Sequence, residues 1–84
     1  MEKAKVVDVL FEELAKIAPE TDRSEIKAGQ PLREQVDLDS LDSYRYLVRV
    51  HERFQVDIPD TEYRRMKSLN DLADFIERAL RIGH

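Results

Sequence analysis

The sequence predicts an all-α domain: a small four-helix bundle of three long helices and one short third helix, with a long first loop. Apolar residues recur at steps of three and four in three separate segments, which is the spacing of amphipathic helices. Prolines and short polar stretches stand between these segments. The chain of 84 residues has room for one hydrophobic core, so we expect residues 1–84 to form a single domain.

The first helix is predicted from residue 2 to about residue 18, and Pro19 marks its end. This segment contains no strand-like alternation of apolar and polar residues. Its core-facing residues are those at helical spacing, with two further apolar residues beside them: Val7, Leu10, Leu14 and Ile17, then Val6 and Phe11.

Residues 19–38 form a connection of about twenty residues, which is long for such a small domain. A connection of this length is compatible with a packed fold only if some of its apolar residues reach the core. We expect Ile26, Leu32 and Val36 to be these anchors. A short helical turn is predicted near residues 22–27.

The second helix is predicted from Ser40 to about Phe54, with Asp39 or Ser40 as its N-cap. Asp42 lies in the first turn, where a negative charge complements the helix dipole. The residues expected to face the core form one stripe: Tyr46, Leu47, Val50 and Phe54.

Tyr44 and Val48 form a second apolar row on this helix, which begins beside Ser40 and leans away from the core stripe. The simple explanation is that the row covers the edge of the core. The functional alternative is that it lines a groove for an apolar ligand or a partner protein.

The third helix is short and follows Ile58-Pro59, where the proline requires an extended preceding residue. Asp60 or Thr61 is expected to cap it, and it ends near Arg65.

The last helix begins after Ser68, the predicted N-cap, with Asp71 three residues later as in a capping box. Gly83 is its predicted C-cap. The residues expected to face inward are Leu69, Leu72, Ile76, Ala79 and Leu80, with Ala73 and Phe75 alongside.

Composition excludes several classes of function. The net charge of −4 argues against general nucleic-acid binding, and the absence of cysteine excludes disulfides and thiolate chemistry. No apolar stretch is long enough for a signal peptide or a membrane span, so we expect a cytoplasmic protein without stable membrane insertion. We also expect a monomer. Residues 34–62 carry eight acids and three bases, so the negative charge is concentrated around Ser40.

An enzyme or metal site is not supported by the residue spacing. Ser40 would need a nearby base, but His51 is eleven positions along the same helix, roughly 16 Å away along its axis. The chain also contains only two glycines, which is too few for a Gly-rich phosphate loop. The acids near Asp37 do not form a calcium loop, because Leu41 and Val48 stand where such a loop requires oxygen ligands.

The tetrapeptide Asp39-Ser40-Leu41-Asp42 is the most informative stretch of the chain. A serine at the beginning of a helix is exposed, and the positive end of the helix dipole with its unpaired N–H groups suits a phosphate. The same four residues could also be no more than a helix start, which is a common pattern.

The chain resembles the acyl carrier protein family over essentially its whole length. The resemblance depends on Asp39-Ser40-Leu41-Asp42 opening the second helix, on Phe54 closing it, and on Ile58-Pro59-Asp60 before a short third helix. The long first loop and the order of the helices also match. The resemblance therefore implies a single acyl carrier domain that is not an enzyme.

The resemblance implies a role for each residue of the tetrapeptide. Ser40 is the expected attachment point of 4′-phosphopantetheine, which a phosphopantetheinyl transferase moves from coenzyme A with the help of magnesium. Asp39 is expected to help that transferase hold its metal, and Leu41 and Asp42 to contact partners. The thiol of the arm then carries acyl groups between the acyl-transferring and synthase enzymes of fatty-acid, lipid or polyketide-type biosynthesis.

The resemblance also implies that the acyl chain folds back between the helices, where each buried methylene contributes about 0.8 kcal/mol. The residues predicted to line the entrance are Tyr44, Val48, Ile58 and Met66. The residues near this entrance that are expected to contact partner proteins are Tyr44, Arg45, Val48 and Ile58.

The second helix departs from the family pattern, because Arg45, Arg49 and Arg53 lie on one face of a helix that is usually acidic. One interpretation is a solvated face with local pairs such as Asp42–Arg45. The other is that Arg45 and Arg49 belong to a docking surface of changed sign, which predicts a carrier of a specialised pathway.

Two further classes remain open from the sequence. A peptidyl or D-alanyl carrier shares the fold, the serine and the arm but accepts amino acids. An unmodified helical protein-interaction module keeps the fold without the arm.

Overall fold

The computed structural model describes residues 2–82, and these residues form helices and connecting segments without a β-strand. The all-α prediction is therefore confirmed. No helix among the described residues is long and apolar enough to cross a membrane. The helices are α1 (Lys3–Ile17), α2 (Leu32–Gln35), α3 (Ser40–Phe54), α4 (Asp60–Arg65) and α5 (Leu69–Ile82), and a 3₁₀ turn spans Arg23–Glu25.

Helix α1 packs against both α3 and α5, and the apolar faces of the three form the core. The buried row of α1 is Val6, Leu10 and Leu14, whereas Val7 and Ile17 are only half-buried. The core-facing side of α1 is therefore rotated slightly from the side that the sequence predicted. The remaining apolar residues of the core with less than a tenth of their surface exposed are Phe11, Ala18, Leu32, Val36, Tyr46, Val50, Phe54, Val56, Ile58, Leu69, Leu72, Ala73 and Ile76.

The long connection is held to the core, as its predicted anchors require. Leu32 and Val36 are buried and Ile26 is half-buried. The predicted helical turn is the 3₁₀ turn, where Asp22 accepts a hydrogen bond from the Ser24 N–H at 2.9 Å. The sequence pattern missed α2, because four residues are too few to show a helical period.

Two backbone hydrogen bonds tie this connection to the junction between α4 and α5. The Leu32 N–H donates to the Lys67 carbonyl at 2.8 Å, and the Asn70 N–H donates to the Ala28 carbonyl at 2.9 Å. The side-chain amide of Gln35 adds hydrogen bonds to the backbone of the loop before α2. A connection of this length is ordered because its backbone groups have partners inside the domain.

The predicted bounds of α3 are confirmed at both ends. At its C-terminus Gln55 adopts a left-handed conformation, with φ 56°, and its N–H donates to the His51 carbonyl at 2.8 Å. In the middle of the helix, the fully buried Tyr46 phenol donates to the Leu10 carbonyl at 2.9 Å. Burial raises the pKa of Tyr46, so this hydroxyl stays protonated and can donate.

Of the N-terminal caps predicted for α4 and α5, the first was wrong and the second is confirmed. The prediction that Asp60 or Thr61 caps α4 was wrong, because the helix begins at Asp60 and its N-cap position is Pro59, which has no side-chain cap. The capping box of α5 is confirmed: Ser68 Oγ accepts from the Asp71 N–H at 3.1 Å, and the Asp71 carboxylate accepts from the Ser68 N–H at 3.4 Å. Gly83, the predicted C-cap, lies outside the described residues.

A buried carboxylate joins α1 to α3. Only 4% of the Glu13 side chain is exposed, and it accepts hydrogen bonds from Arg49 at 2.9 Å, Arg53 at 2.8 Å and Lys16 at 3.3 Å. Burial alone would raise the pKa of Glu13, but these three cationic donors together outweigh it and hold the pKa below its ordinary value. The carboxylate is therefore ionised in the folded protein.

The Glu13 carboxylate predicts a specific dependence of stability on pH. Its contribution is complete above the ordinary pKa of 4.5 and is lost as the pH falls below that value through the depressed pKa of the folded state. We expect Glu13→Gln to lower the free energy of unfolding at neutral pH by about 1–3 kcal/mol. The variant's stability should also fall less steeply with acid. Urea unfolding at several pH values measures both effects.

Glu12→Gln is the matched control, because the Glu12 side chain is 57% exposed and contacts only one of these cations, Arg53. This exposed pair is worth well under about 1 kcal/mol. Equal losses of stability in the Glu12 and Glu13 variants would contradict a structural role for the buried carboxylate.

Candidate functional site

Ser40 is the first residue of α3 and is exposed to solvent. The preceding residue, Asp39, is the N-cap: its Oδ1 accepts from the Asp42 N–H at 2.7 Å, and its backbone carbonyl accepts from the Ser43 N–H at 2.9 Å. Asp39 itself has an extended backbone, so the chain turns sharply into the helix at this point. The serine is thus held on a rigid element at the end of a well-capped helix.

The surroundings of Ser40 suit a phosphate ester. The first turn of a helix leaves backbone N–H groups without intrahelical acceptors, and Asp39 satisfies only one of them. The positive end of the dipole of this 15-residue helix lies at the same place. An exposed serine oxygen at this position can accept a phosphoryl group and keep it in solvent.

His51 does not serve Ser40 as a base. Its Nδ1 lies 2.8 Å from the Val56 carbonyl, at the opposite end of α3. Within residues 2–82, no group of three or more histidine and acidic side chains could hold a metal ion.

The predicted partner residues differ widely in exposure. Leu41 and Tyr44 are 56% and 64% exposed, so both present large apolar side chains to solvent near Ser40. Arg45 is also exposed. Asp42 and Val48 are half-buried, and Ile58 is only 7% exposed, in the core.

The three arginines of α3 are not equivalent. Arg49 and Arg53 both bind Glu13 of α1, so their guanidinium groups are held against α1. The local pair predicted between Asp42 and Arg45 is not formed, and Arg45 has no ion-pair partner among the described residues. Of the three arginines, Arg45 is therefore the one whose charge is not engaged by a carboxylate of the described residues.

A pocket of about 260 Å³ lies between α3, α4 and the end of the long connection. Of the four residues predicted to line an acyl entrance, only Met66 borders it; Tyr44, Val48 and Ile58 do not. Tyr44 and Val48 lie on a different face of α3 from Ser43 and Tyr46, which line this pocket, so the entrance expected at Tyr44, Val48 and Ile58 stays a prediction. The lining residues are Pro31, Leu32, Arg33, Leu38, Ser43, Tyr46, Tyr63, Arg64, Met66, Lys67, Ser68, Leu69 and Leu72.

The sequence contains one signal of this pocket that the helical period alone does not reveal. Ser43 follows Ser40 by three positions and precedes Tyr46 by three, so it lies on the buried stripe of α3. It is only 4% exposed. A hydroxyl at a core position of an amphipathic helix indicates either an internal partner or a cavity.

Comparison with known proteins agrees with this geometry. The profile of the family described as phosphopantetheine attachment site matches residues 6–76. The acyl carrier protein of Campylobacter curvus is 36% identical over 73 residues, which cover 87% of this chain and 88% of that protein. The acyl carrier protein of Thermosynechococcus vestitus is 35% identical over 74 residues, with 88% and 80% covered. That of Kocuria rhizophila is 33% identical over 75 residues, with 86% and 93% covered.

The family profile spans most of the chain, and these relatives align with it over nearly their whole length. An exposed serine at the N-terminus of a capped helix fits the phosphopantetheine that the family profile describes. The chain therefore belongs to the acyl carrier protein family.

Proposed function

We propose that Ser40 is the residue that carries 4′-phosphopantetheine, and that the protein is a carrier and a substrate of other enzymes rather than a catalyst. The observation that supports this most strongly is the position of Ser40, exposed as the first residue of α3 beside the Asp39 cap. When bound, the arm supplies a thiol that holds an acyl group as a thioester.

The residues around Ser40 have separate tasks in this proposal. Ser40 Oγ would form a bond to the phosphorus that carries the pantetheine of coenzyme A, the pyrophosphate P–O bond would break, and 3′,5′-ADP would leave. A separate phosphopantetheinyl transferase would supply the magnesium and the base that takes the serine proton. The α3 N-terminus stabilises the negative charge of the resulting phosphodiester. Asp39 fixes the start of the helix and presents a carboxylate to the transferase metal.

The partner surface proposed here surrounds the attachment site. Leu41 and Tyr44 offer apolar contact area, and Asp42 and Arg45 offer charges of opposite sign. The partners are acyl-transferring and synthase enzymes. Arg49 contributes less to this surface than the sequence suggested, because its guanidinium group is bound to Glu13 of α1.

We further propose that the protein acts as a cytoplasmic monomer. The apolar faces of α1, α3 and α5 are covered by one another, and exposed large apolar side chains are few.

Intact mass spectrometry after incubation with coenzyme A and a broad-specificity transferase tests the proposed attachment site. We expect the protein to gain the mass of one phosphopantetheine, and Ser40→Ala to gain none. Ser24→Ala is the matched control, because Ser24 also lies just after an aspartate cap, Asp22, but belongs to the 3₁₀ turn. This variant should be modified like the unaltered protein. Full modification of Ser40→Ala, or none of the unaltered protein, would refute the assignment.

Asp39→Asn separates the two tasks proposed for Asp39. Asparagine is as good an N-cap as aspartate, so we expect a free energy of unfolding within about 0.5 kcal/mol of the original. The rate of phosphopantetheine transfer should fall, because the amide is a poorer metal ligand. Asp39→Ala should lose the cap as well, at a cost of about 1 kcal/mol. An unchanged transfer rate in the Asn variant would remove the metal role.

Arg45→Glu is the sharpest test of the altered partner surface. Replacing Arg45, Arg49 and Arg53 together with glutamate would place two new carboxylates beside the buried Glu13. A loss of activity in that variant could therefore reflect unfolding. Arg45 has no such contact, and its replacement should leave the melting temperature unchanged. We expect the enzymes of bulk fatty-acid synthesis to transfer acyl groups faster to the Arg45→Glu variant than to the unaltered protein, when both carry phosphopantetheine. If those enzymes already use the unaltered carrier at their normal rate, the specialised role is wrong.

A further inference from the structure

Three cationic side chains border the pocket near Ser40, and each belongs to a different segment of the chain. Arg33 lies on α2, Arg64 lies on α4, and Lys67 lies between α4 and α5. All three residues are exposed, and none of the residues that line the pocket is acidic. We call Arg33, Arg64 and Lys67 the basic rim.

The basic rim is only weakly compensated by acids of the domain. Arg64 pairs with Asp60 at 3.0 Å, but both side chains are mostly exposed, so solvent screens this pair strongly. Arg33 and Lys67 form no ion pair with any described residue. The carboxylate of Asp71 accepts a hydrogen bond from the Lys67 backbone N–H at 3.2 Å, and it caps α5 instead of pairing with the ammonium group.

The fold holds these cations near one another although like charges repel. The Leu32 N–H donates to the Lys67 carbonyl at 2.8 Å, so Arg33, the next residue after Leu32, is held near Lys67. The Arg33 guanidinium also lies near the Tyr63 phenol of α4: burial raises the pKa of Tyr63, and the positive charge of Arg33 opposes that rise. Like charges held together without partners destabilise the free protein, so a carboxylate from another molecule is stabilised at the basic rim.

The basic rim lies close to the attachment site. Ser43 lines the same pocket and is one helical turn from Ser40, about 5 Å along the axis of α3. Acidic residues also stand at this end of α3, namely Asp37, Asp39 and Asp42. An enzyme that receives the arm therefore meets charges of both signs around Ser40.

We propose that the basic rim docks a partner enzyme that carries carboxylates beside the entrance of its active site. This inference rests on the proposed function, because the partner reaches the basic rim while it receives the arm attached to Ser40. The guanidinium groups of Arg33 and Arg64 can each bind a carboxylate through two parallel hydrogen bonds, and Lys67 adds a third cation. An enzyme with a basic docking patch is disfavoured, because its cations would meet those of the basic rim.

An anionic membrane surface fits the basic rim less well than a protein does. The chain carries a net charge of −4, and acids stand at the start of α3 close to the basic rim. An anionic bilayer presents negative charge everywhere and repels those acids, whereas a protein surface can match positive and negative groups separately. The mixed charge around Ser40 therefore favours a protein partner.

The experiment uses two forms of one probe enzyme that differ in the charge of their docking patch. The first is a malonyl-transferring enzyme of bulk fatty-acid synthesis with a basic docking patch, and in the second the lysines and arginines of that patch are glutamate. Each transfers malonyl groups from malonyl-coenzyme A to the thiol of the arm. Transfer to free pantetheine confirms that both enzymes are active.

Every carrier is first loaded with phosphopantetheine by a broad-specificity transferase, and intact mass confirms loading. If no phosphopantetheine is attached at Ser40, the proposed function fails. Docking is measured only on loaded carriers, so its failure is a separate result.

The double variant Arg33→Glu/Lys67→Glu reverses the two rim charges that have no ion pair. We expect the charge-reversed enzyme to have a kcat/KM about tenfold lower with this variant than with the unaltered carrier, with the change in KM. The original enzyme should show the opposite order. High salt should shrink both differences, because the rim cations are exposed.

Lys5→Glu/Arg78→Glu is the matched control. It makes the same change of charge on α1 and α5, at exposed residues that have no ion pair among the described residues and do not border the pocket. The control should behave like the unaltered carrier with both enzymes. Equal effects of the two double variants would reduce the result to overall charge and overturn the proposal. The proposal also fails if the charge-reversed enzyme uses the rim variant as well as it uses the unaltered carrier.

Two further measurements test other occupants of the basic rim. The unaltered carrier should not sediment with vesicles of phosphatidylcholine and phosphatidylglycerol. Sedimentation that the Arg33→Glu/Lys67→Glu variant loses would assign the basic rim to a membrane surface and overturn the proposal. The phosphorus NMR resonance of the arm should be the same in the unaltered carrier and in this variant. A shift that the control variant lacks would show that the basic rim binds the phosphodiester of the arm itself, and this too would overturn it.

Discussion

The packing of α3 against α1 is the constraint on which the rest of the structure depends. It has an apolar part, where the Tyr46 phenol reaches the Leu10 carbonyl, and a charged part, where Arg49 and Arg53 bind Glu13. Both parts lie beyond the first turn of α3. They fix the helix while its N-terminus, with Ser40, stays in solvent. A carrier needs such a site, which must be rigid at its base and accessible to several enzymes.

Most of the fold could be predicted from the sequence because its helices have strong local signals. The bounds of α3 were predicted correctly from Asp39 and Phe54, the end of α4 was predicted at Arg65, and the capping box of α5 was predicted from Ser68 and Asp71. Each of these signals involves only a few neighbouring residues, and patterns of that length can be recognised in a sequence. The short helix α2 has no such period and was missed.

The surroundings of the site could be predicted only in part, because they depend on contacts between distant segments. Nothing local to Arg49 or Arg53 indicates that both turn toward Glu13, which is 36 and 40 positions away. The side of α3 on which the pocket opens likewise depends on where α4 and the long connection pack. Ser40 could be proposed from the sequence because that proposal needs only a helix start and the resemblance to a family.

The hydrogen bond from the Leu32 N–H to the Lys67 carbonyl at 2.8 Å has a consequence for the size of the pocket. Both residues border the pocket, so the bond holds its two walls at a distance set by the main chain. Spreading those walls would break the bond. The pocket is therefore easier to enlarge by shortening a lining side chain such as Tyr63 than by moving the backbone.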